Sequence, residues 1–319
     1  MCRLTIYASI SDRLTPLIRH KREIIIATFQ YYLLLCFLTV TARMPLRLLY
    51  WLAAAWGTIL FLIPNRARDT TLKNLHACFP QLRDAEISRL ARSSLISTAS
   101  SAMEMGKSWM LPLDATFSLI AQTEGMAEFQ RAVEAPQGII LLAPHLGNWE
   151  IFGLYASQNT ESTFMYQPPK LPALNRLILQ TRSRGGLKMA PTNRKGVSQV
   201  FEALQKGELV GMLPDQVPSD EGGEFAEFFG EPALTMTLVS KLAARTKAKV
   251  FCGIAQRLPK GGGFKLIIRE ADQSIYDEDL SKSLRGLNKT IEEFVGMAVE
   301  QYQWEYKRFR RRPDGLKFY

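Results

Sequence analysis

The chain has 319 residues, of which 47% are hydrophobic and 22% charged, so it can bury a large core and is not intrinsically disordered. Its 40 lysines and arginines against 30 aspartates and glutamates give a formal charge of +10, which favours an acidic partner: nucleic acid, anionic lipid or an acidic carrier protein. Four scattered cysteines and three histidines predict neither a disulfide framework nor a multi-histidine metal site, and no metal or other cofactor is expected.

The first predicted element is a membrane anchor over residues 1–43. The run from Ile24 to Ala42 carries no charge, and at ~1.5 Å per residue a helix of this length nearly crosses a ~30 Å hydrocarbon core. We therefore predict an N-terminal transmembrane helix; the alternative is a secretory signal peptide, because residues 40–42 are compatible with a cleavage site. A second uncharged run, Leu48 to Asn65, is predicted to be an interfacial or core helix, with a second span as the alternative.

The remaining residues, 44–319, are predicted to form one α/β domain. Helical spacing of apolar residues extends to about Met126, and short β-rich runs then alternate with helical ones. This alternation predicts a mostly parallel central sheet flanked by helices. Gly261 to Gly263 are predicted to form a hairpin turn, and a final helix to run from about Asp279 to Lys307. The predicted strands are 138–143, 163–166, 209–213, 250–254 and 264–268, and the helices between them are 171–181, 195–205 and 234–244.

The segment GIILLAPHLGNWEIFG, residues 138–153, combines a strand, a histidine and a helix start. Open α/β sheets bind ligands where a strand ends and a helix N-terminus faces the site. We predict that His145 is a general base and that Glu150, in the first turn of a helix capped by Gly147 or Asn148, reaches back to orient the imidazole. No nucleophile motif lies nearby, so the base is expected to activate a substrate hydroxyl directly.

Three other interpretations of the His145 and Glu150 pair are open. His145 can be a structural turn residue, and Glu150 can simply favour a helix N-terminus. Together they can also serve a metal-dependent hydrolase. The HxxxxE spacing alone does not choose among these interpretations and a general base.

The sequence resembles the late acyltransferases of lipid A biosynthesis, a branch of the lysophospholipid acyltransferase superfamily that carries HxxxxE at its site. Further landmarks follow in order over roughly residues 45 to 313. They are NLHACFP (74–80), QTRSR (180–184), LPDQ (213–216), FFG (228–230), QYQW (301–304), Arg308-Phe309 and Arg312-Pro313. Two departures stand near the C-terminus, where Tyr306 replaces a frequent histidine and Arg310-Arg311 replaces a lysine-threonine pair.

The resemblance implies transfer of a fatty acyl chain from acyl carrier protein, or less often coenzyme A, to a hydroxyl of a lipid A precursor. It places the catalytic domain on the cytoplasmic side of the inner membrane, with membrane lipids as further partners. Acyl transfer to another glycolipid or to a lysophospholipid is the alternative. The positive charge alone suggests nucleic-acid binding, and no motif for it is present, so no nucleic-acid partner is expected.

Four residues around the predicted catalytic pair are expected to bind substrate: Asn148, Arg182, Arg184 and Asp215. Backbone N–H groups at the helix start or the guanidinium of Arg182 can stabilise the oxyanion of the reaction, and either arginine can bind an acceptor phosphate. The structural alternatives are solvated arginines at a helix end and an aspartate that shapes a turn.

Overall fold

Helices make up the N-terminal part of the computed structural model, which describes residues 27–319. Helix α1 includes residues 27–43 and is followed by α2 (Leu46–Leu62), α3 (Arg66–Cys78) and α4 (Asp84–Met110). Pro45 directly precedes α2, and Pro64 lies between α2 and α3, where a proline cannot continue the preceding helix. Helix α4 contacts both α2 and α3, so it is the support on which they pack.

The predicted transmembrane helix begins outside the described residues, and its remainder, residues 27–42, lies in α1. Between residues 27 and 319, no single helix has both the length and the apolar character that crossing a bilayer requires. Helices α2 and α3 meet these requirements only as a pair, and an 82° bend separates them. The second uncharged run forms most of α2, which buries Ala53 and exposes Trp51 and Trp56. This helix therefore has one packed face and one exposed apolar face.

A seven-stranded sheet forms the centre of the molecule, in the order β1-β9-β8-β2-β5-β3-β4. Every neighbouring pair is parallel except β8 with β9, so the predicted mostly parallel sheet is confirmed. The β8–β9 turn contains Gly261 to Gly263, which confirms the predicted hairpin. The strands are β1 (Ile120–Glu124), β2 (Ile139–Leu142), β3 (Ser162–Tyr166), β4 (Lys188–Pro191), β5 (Leu209–Met212), β8 (Lys249–Arg257) and β9 (Phe264–Glu270).

Seven more α-helices, a small hairpin and four short 3-10 turns make up the other regular structure of the described residues. The hairpin pairs β6 (Gly223–Phe228) with β7 (Glu231–Met236) in antiparallel register. Helices flank the sheet, as expected, and connect most of its strands. They are α5 (Leu113–Phe117), α6 (Met126–Glu134), α7 (Trp149–Ala156), α8 (Pro172–Ser183), α9 (Arg194–Gln205), α10 (Leu238–Thr246) and α11 (Leu280–Met297).

Two predicted helices have the wrong bounds. The helix expected at 234–244 begins only at Leu238, because residues 231–236 pair with β6 as a strand. The helix expected to reach Lys307 ends at Met297. Beyond it the chain forms one 3-10 turn, Val299–Gln301, and then becomes irregular. Tyr302 and Trp304 are buried there, and Tyr302 bridges to Leu146 beside the predicted site.

The central sheet is buried on both faces, which explains the uninterrupted apolar run of β2. Ile140 and Leu142 belong to one hydrophobic cluster, whereas Ile139 and Leu141 belong to a second cluster on the opposite face. Because β2 is a central strand between β8 and β5, the residues that follow it leave the sheet in the middle of its edge. That edge carries the residues predicted to form the site.

Candidate active site

Strands β2 and β5 end side by side, and each is followed by a proline and then a polar residue. The two strands are parallel with Leu142 opposite Met212, so His145 and Asp215 stand at equivalent positions beyond the paired ends. One oxygen of the Asp215 carboxylate lies 2.9 Å from Nδ1 of the His145 imidazole. The other accepts the His145 peptide N–H at 2.9 Å. A carboxylate on the adjacent strand therefore holds both the ring and the main chain of this histidine.

Asp215 is almost completely buried, and His145 stabilises its charge. Burial alone would raise the pKa of this carboxyl group, but the charge and hydrogen bonds of His145 outweigh burial and hold the pKa below its ordinary value. An ionised Asp215 accepts a hydrogen bond from Nδ1–H, which leaves the Nε2 lone pair as the basic site of the imidazole. This is the arrangement of a general base with an orienting carboxylate.

Polar and aromatic side chains surround the Nε2 side of His145. The amide nitrogen of Gln216 lies 3.2 Å from Nε2, and the Trp149 ring packs against the imidazole with centroids 5.0 Å apart. The peptide N–H of Val217 donates to the Tyr306 hydroxyl at 2.9 Å, so Tyr306 fixes the loop that carries Gln216. A substrate hydroxyl in place of the Gln216 amide would stand within hydrogen-bonding reach of the base.

Glu150 does not contact the imidazole, and the predicted pairing of these two side chains is wrong. Its carboxylate instead accepts two hydrogen bonds from Arg182, one of them from Nε at 3.1 Å. Glu150 lies in the first turn of α7 and Arg182 in the last turn of α8, so the ion pair joins the two helices. Burial would lower the pKa of Arg182, but the charge and hydrogen bonds of Glu150 raise it. A catalytic role for Glu150 stays a prediction, with Arg182 as its partner.

Asn148 caps α7, as one of the two predicted capping residues. Its Oδ1 accepts the Ile151 peptide N–H at 3.0 Å and the Ser108 hydroxyl at 3.2 Å. Its Nδ2 donates to Glu104 at 3.1 Å. The side chain is buried, and both its polar atoms have protein partners. Contact between Asn148 and substrate therefore stays a prediction, while its structural role is evident.

A buried ion pair between Glu104 and Arg257 lies next to Asn148, and it was not predicted from the sequence. Arg257 donates two hydrogen bonds to the Glu104 carboxylate, and the two side chains are 9% and 0% exposed. Arg257 also donates to Ser97 at 2.9 Å and to Ser101 at 3.0 Å. A sequence signal existed, because Glu104 lies on the same buried face of α4 as Ser97 and Ser108.

Gly147 is required by the tight path of the loop after His145. Its φ is +62°, and a Cβ added there would lie 2.2 Å from the carbonyl oxygen of Ala255. The Gly147 peptide N–H donates to Gln301 at 3.2 Å, and the Gln303 N–H donates to the His145 carbonyl at 3.2 Å. The QYQW segment, residues 301–304, therefore holds the loop of residues 143–148 through main-chain hydrogen bonds.

Arg184 lies apart from the His145 group. Its guanidinium donates to the main-chain carbonyls of Ser108 at 2.8 Å and of Thr181 at 2.9 Å, and also to that of Leu111. Partial burial lowers its pKa. These bonds join the end of α8 to the end of α4, so Arg184 has a structural role but is not the solvated helix-end arginine considered as the alternative. Binding of an acceptor phosphate by Arg184 stays a prediction.

The structure thus brings His145 together with Asp215, and Glu150 together with Arg182, on neighbouring elements. Within residues 27–319, no group of three or more His, Cys, Asp and Glu side chains is arranged to hold a metal ion. The arrangement offers a partly buried histidine oriented by a carboxylate, and an arginine bound to a glutamate in the first turn of the helix that follows this histidine.

Comparison with known proteins bears on the chemistry of this site. The model of the family described as "Bacterial lipid A biosynthesis acyltransferase" matches residues 18–311. The chain is 26% identical to the lipid A biosynthesis lauroyltransferase of Escherichia coli strain K12, over 88% of this chain and 90% of that protein. It is 26% identical to the palmitoleoyltransferase of the same organism, over 86% and 88% of the two chains. A lipid A biosynthesis acyltransferase of Haemophilus influenzae is 27% identical over 89% and 88%.

Proposed function

This chain belongs to the bacterial lipid A biosynthesis acyltransferases, and we propose that it transfers a fatty acyl chain from acyl carrier protein to a hydroxyl group of a lipid A precursor. The observation that carries the proposal is the position of the His145 imidazole, whose Nδ1 lies 2.9 Å from a carboxylate oxygen of Asp215. A hydrogen bond at Nδ1 leaves Nε2 to accept a proton. The resemblance to this family is what implies the identity of the acyl donor and of the acceptor. Acyl transfer itself is the chemistry that family members are named for.

The proposed reaction is a direct transfer in which His145 first acts as base and then as acid. Nε2 takes the proton of the acceptor hydroxyl while the hydroxyl oxygen attacks the thioester carbonyl. The tetrahedral intermediate collapses, the carbon–sulfur bond breaks, and the imidazolium returns the proton to the leaving thiolate. The products are an ester and a thiol, so atoms and charge balance. Asp215 stabilises the imidazolium during the step.

Arg182 is proposed to stabilise the oxyanion of the tetrahedral intermediate. It uses Nε and one terminal nitrogen to bind Glu150, which leaves guanidinium donors for a substrate oxygen. Glu150 would then act through Arg182 by fixing the direction of that group. Glu150 lies in the first turn of α7, where the dipole of the helix N-terminus stabilises the negative charge of its carboxylate. This position supports the proposed role.

We also propose that residues 1–43 anchor the protein to the inner membrane and that the catalytic domain, residues 44–319, lies on the cytoplasmic side. An exposed apolar surface on α1 and α2 supports attachment to a membrane. Exposed apolar side chains on an otherwise packed helix pair are typical of an interface with lipid, and Trp51 and Trp56 suit the head-group boundary. Exposed Arg43 and Arg47 add attraction to anionic lipid. The exposed side chains are Phe29, Tyr32, Leu33, Phe37, Val40, Leu48, Trp51, Trp56, Ile59, Leu62 and Ile63.

The proposed function is tested by acyl transfer with purified full-length protein, an acyl carrier protein loaded with fatty acid, and a panel of acceptors. The panel contains a lipid A precursor, an unrelated glycolipid and a lysophospholipid, and mass spectrometry detects the added acyl chain. We expect acylation of the lipid A precursor. Acylation of only the lysophospholipid or the unrelated glycolipid would contradict the proposed acceptor.

A further inference from the structure

A basic cavity of about 440 Å³ lies where the corner between α2 and α3 meets the C-terminal segment. Arg66 and Lys73 of α3 line one side, and Lys307 and Tyr319 line the other. One carboxylate, that of Asp69, also borders the cavity. None of these side chains belongs to the His145 site, and the reaction proposed above does not use them.

The cavity is positively charged because its three cations are not neutralised by the described part of the chain. From residue 27 onward, no ion pair involves Arg66, Lys73 or Lys307. Asp69 lies 3.4 Å from Arg68, so its charge is shared with a cation outside the cavity. Unpaired arginine and lysine side chains that converge on one cavity are suited to a phosphate group, since arginine offers a fork of donors and lysine a point charge.

Asn65 fixes the corner that forms one wall of the cavity. Its Nδ2 donates to the carbonyls of Leu60 at 2.6 Å and of Ile63 at 2.7 Å, which ends α2. Its Oδ1 accepts the Arg68 peptide N–H at 3.1 Å, which caps α3. One side chain therefore sets the sharp bend between the two helices, and the arginine and lysine of α3 are held in place.

The opposite wall is tied to α3 through Asn74. The Tyr319 hydroxyl donates to Oδ1 of Asn74 at 2.6 Å, and Nδ2 of Asn74 donates to the Tyr306 carbonyl at 2.9 Å. Lys307 follows Tyr306, and its ammonium group lies 5.1 Å from the centre of the Tyr319 ring. The cavity is therefore preformed, which lowers the entropy lost when a ligand binds.

The chemical character of the ligand follows from what surrounds the cavity. Leu62 and Ile63 are 69% and 57% exposed at the end of α2, and Pro64 of the cavity wall comes next in the chain. The exposed apolar surface of α2 thus runs directly to the basic cavity. An amphiphile with an acyl part along α2 and an anionic head group in the cavity fits this arrangement.

We propose that this cavity binds the phosphate group of a phosphorylated lipid acceptor. The acceptor is favoured over an ordinary membrane lipid by a link to the site: Tyr306, next to Lys307, holds the Val217 N–H beside Gln216, whose amide lies at Nε2 of His145. Consecutive residues of one segment, Tyr306 and Lys307, thus connect the loop beside His145 to the cavity. The inference rests on the proposed function in taking this lipid as the acceptor.

Binding is tested with short-chain phosphatidic acid and detergent-solubilised full-length protein. The double variant Lys73→Gln/Lys307→Gln should bind about tenfold more weakly than wild type, because two partly exposed charge contacts are lost. The matched control is Lys195→Gln/Lys206→Gln, which removes the same charge from exposed positions on α9 and directly after it. The control should bind like wild type. Unchanged binding by the first variant, or equal loss in both, would overturn the proposal.

Inorganic phosphate separates a lipid site from a general anion site. Because the ligand is proposed to use the apolar surface of α2 as well, inorganic phosphate should bind more weakly than short-chain phosphatidic acid. Equal affinities of the two ligands would show that the apolar surface contributes nothing, and the lipid assignment would be wrong.

Kinetics with two acceptors test the link to catalysis. With a phosphorylated lipid A precursor, Lys73→Gln/Lys307→Gln should raise KM about tenfold with little change in kcat. With the same acceptor after removal of its phosphates, the variant and wild type should have equal KM. An equal rise of KM for both acceptors would contradict recognition of the phosphate by these lysines. If wild-type protein acylates neither, the proposed function fails, while the phosphatidic acid experiment still decides whether the cavity binds lipid phosphate.

Discussion

The Asp215 carboxylate sets the direction of the His145 imidazole, since it binds both Nδ1 and the peptide N–H of that histidine. Sequence analysis predicted that His145 is the base and that Glu150 orients it. The reason for that error is topological. Five residues along the chain, Glu150 has already entered α7, whereas Asp215 reaches the histidine because β5 lies beside β2. Strand order is decided by packing of the whole domain and is not encoded in a local motif.

The first prediction concerns the role of Asp215. Replacing Asp215 by Asn keeps the size of the side chain but removes the charge that stabilises the imidazolium, so turnover should fall by about 100 to 10,000-fold. The double variant His145→Ala/Asp215→Asn should be little worse than His145→Ala alone, because residues that act as one unit are not additive. Turnover is measured by acyl transfer with purified variants. If the fold-loss of turnover in the double variant equals the product of the two single losses, the two residues act independently.

A second prediction follows from the lowered pKa of Asp215. The folded-state pKa lies below the ordinary value of 3.8, so the ionised carboxylate stabilises the fold above that value. This contribution is lost as the pH falls through the lowered pKa. Below about pH 4 the difference in unfolding free energy between wild type and Asp215→Asn should therefore shrink as the pH falls. Denaturant unfolding from about pH 4 downward measures it, and a difference that grows over that range would contradict the assigned sign.

Helix α4 supports the loop of residues 143–148 through Glu104, which binds both Arg257 and Asn148. The third prediction is that Glu104→Gln lowers the free energy of unfolding by about 3 kcal/mol or more, because it leaves a buried arginine without a compensating charge. Glu86→Gln, on the exposed start of the same helix, should leave the unfolding free energy close to wild type. Both are measured by chemical denaturation. Equal free energies of unfolding for the two variants would show that the buried ion pair contributes no more to stability than the exposed one.

The predicted elements were correct where the local pattern was strong. The continuous apolar run of β2 and the glycine-rich turn between β8 and β9 were both identified from sequence. Strand β1 was missed because its side chains are mostly exposed, so it shows no buried apolar pattern. The β6–β7 hairpin was missed because its turn uses Phe229 and Gly230, both with positive φ, rather than a common turn pair. The end of α11 depends on burial of Tyr302 and Trp304, a tertiary effect.

At the scale of the whole molecule, the predicted site lies at one edge of the sheet. The exposed apolar surface lies elsewhere, on α1 and α2. The fourth prediction is that Trp51→Ser/Trp56→Ser binds vesicles of phosphatidylethanolamine and phosphatidylglycerol at least about tenfold more weakly than wild type. Phe225→Ser/Leu316→Ser removes two exposed apolar side chains elsewhere and should bind like wild type. Co-sedimentation with vesicles measures both. Equal binding by all three proteins would refute attachment through α2.

The central claim is that His145 is the catalytic base, and the most direct measurement is acyl transfer by the purified His145→Ala protein. Its turnover should fall by about 100 to 10,000-fold, while its melting temperature stays close to that of wild type. His76→Ala, which removes an exposed histidine of α3, should keep wild-type turnover. A well-folded His145→Ala protein with near wild-type turnover would contradict the claim.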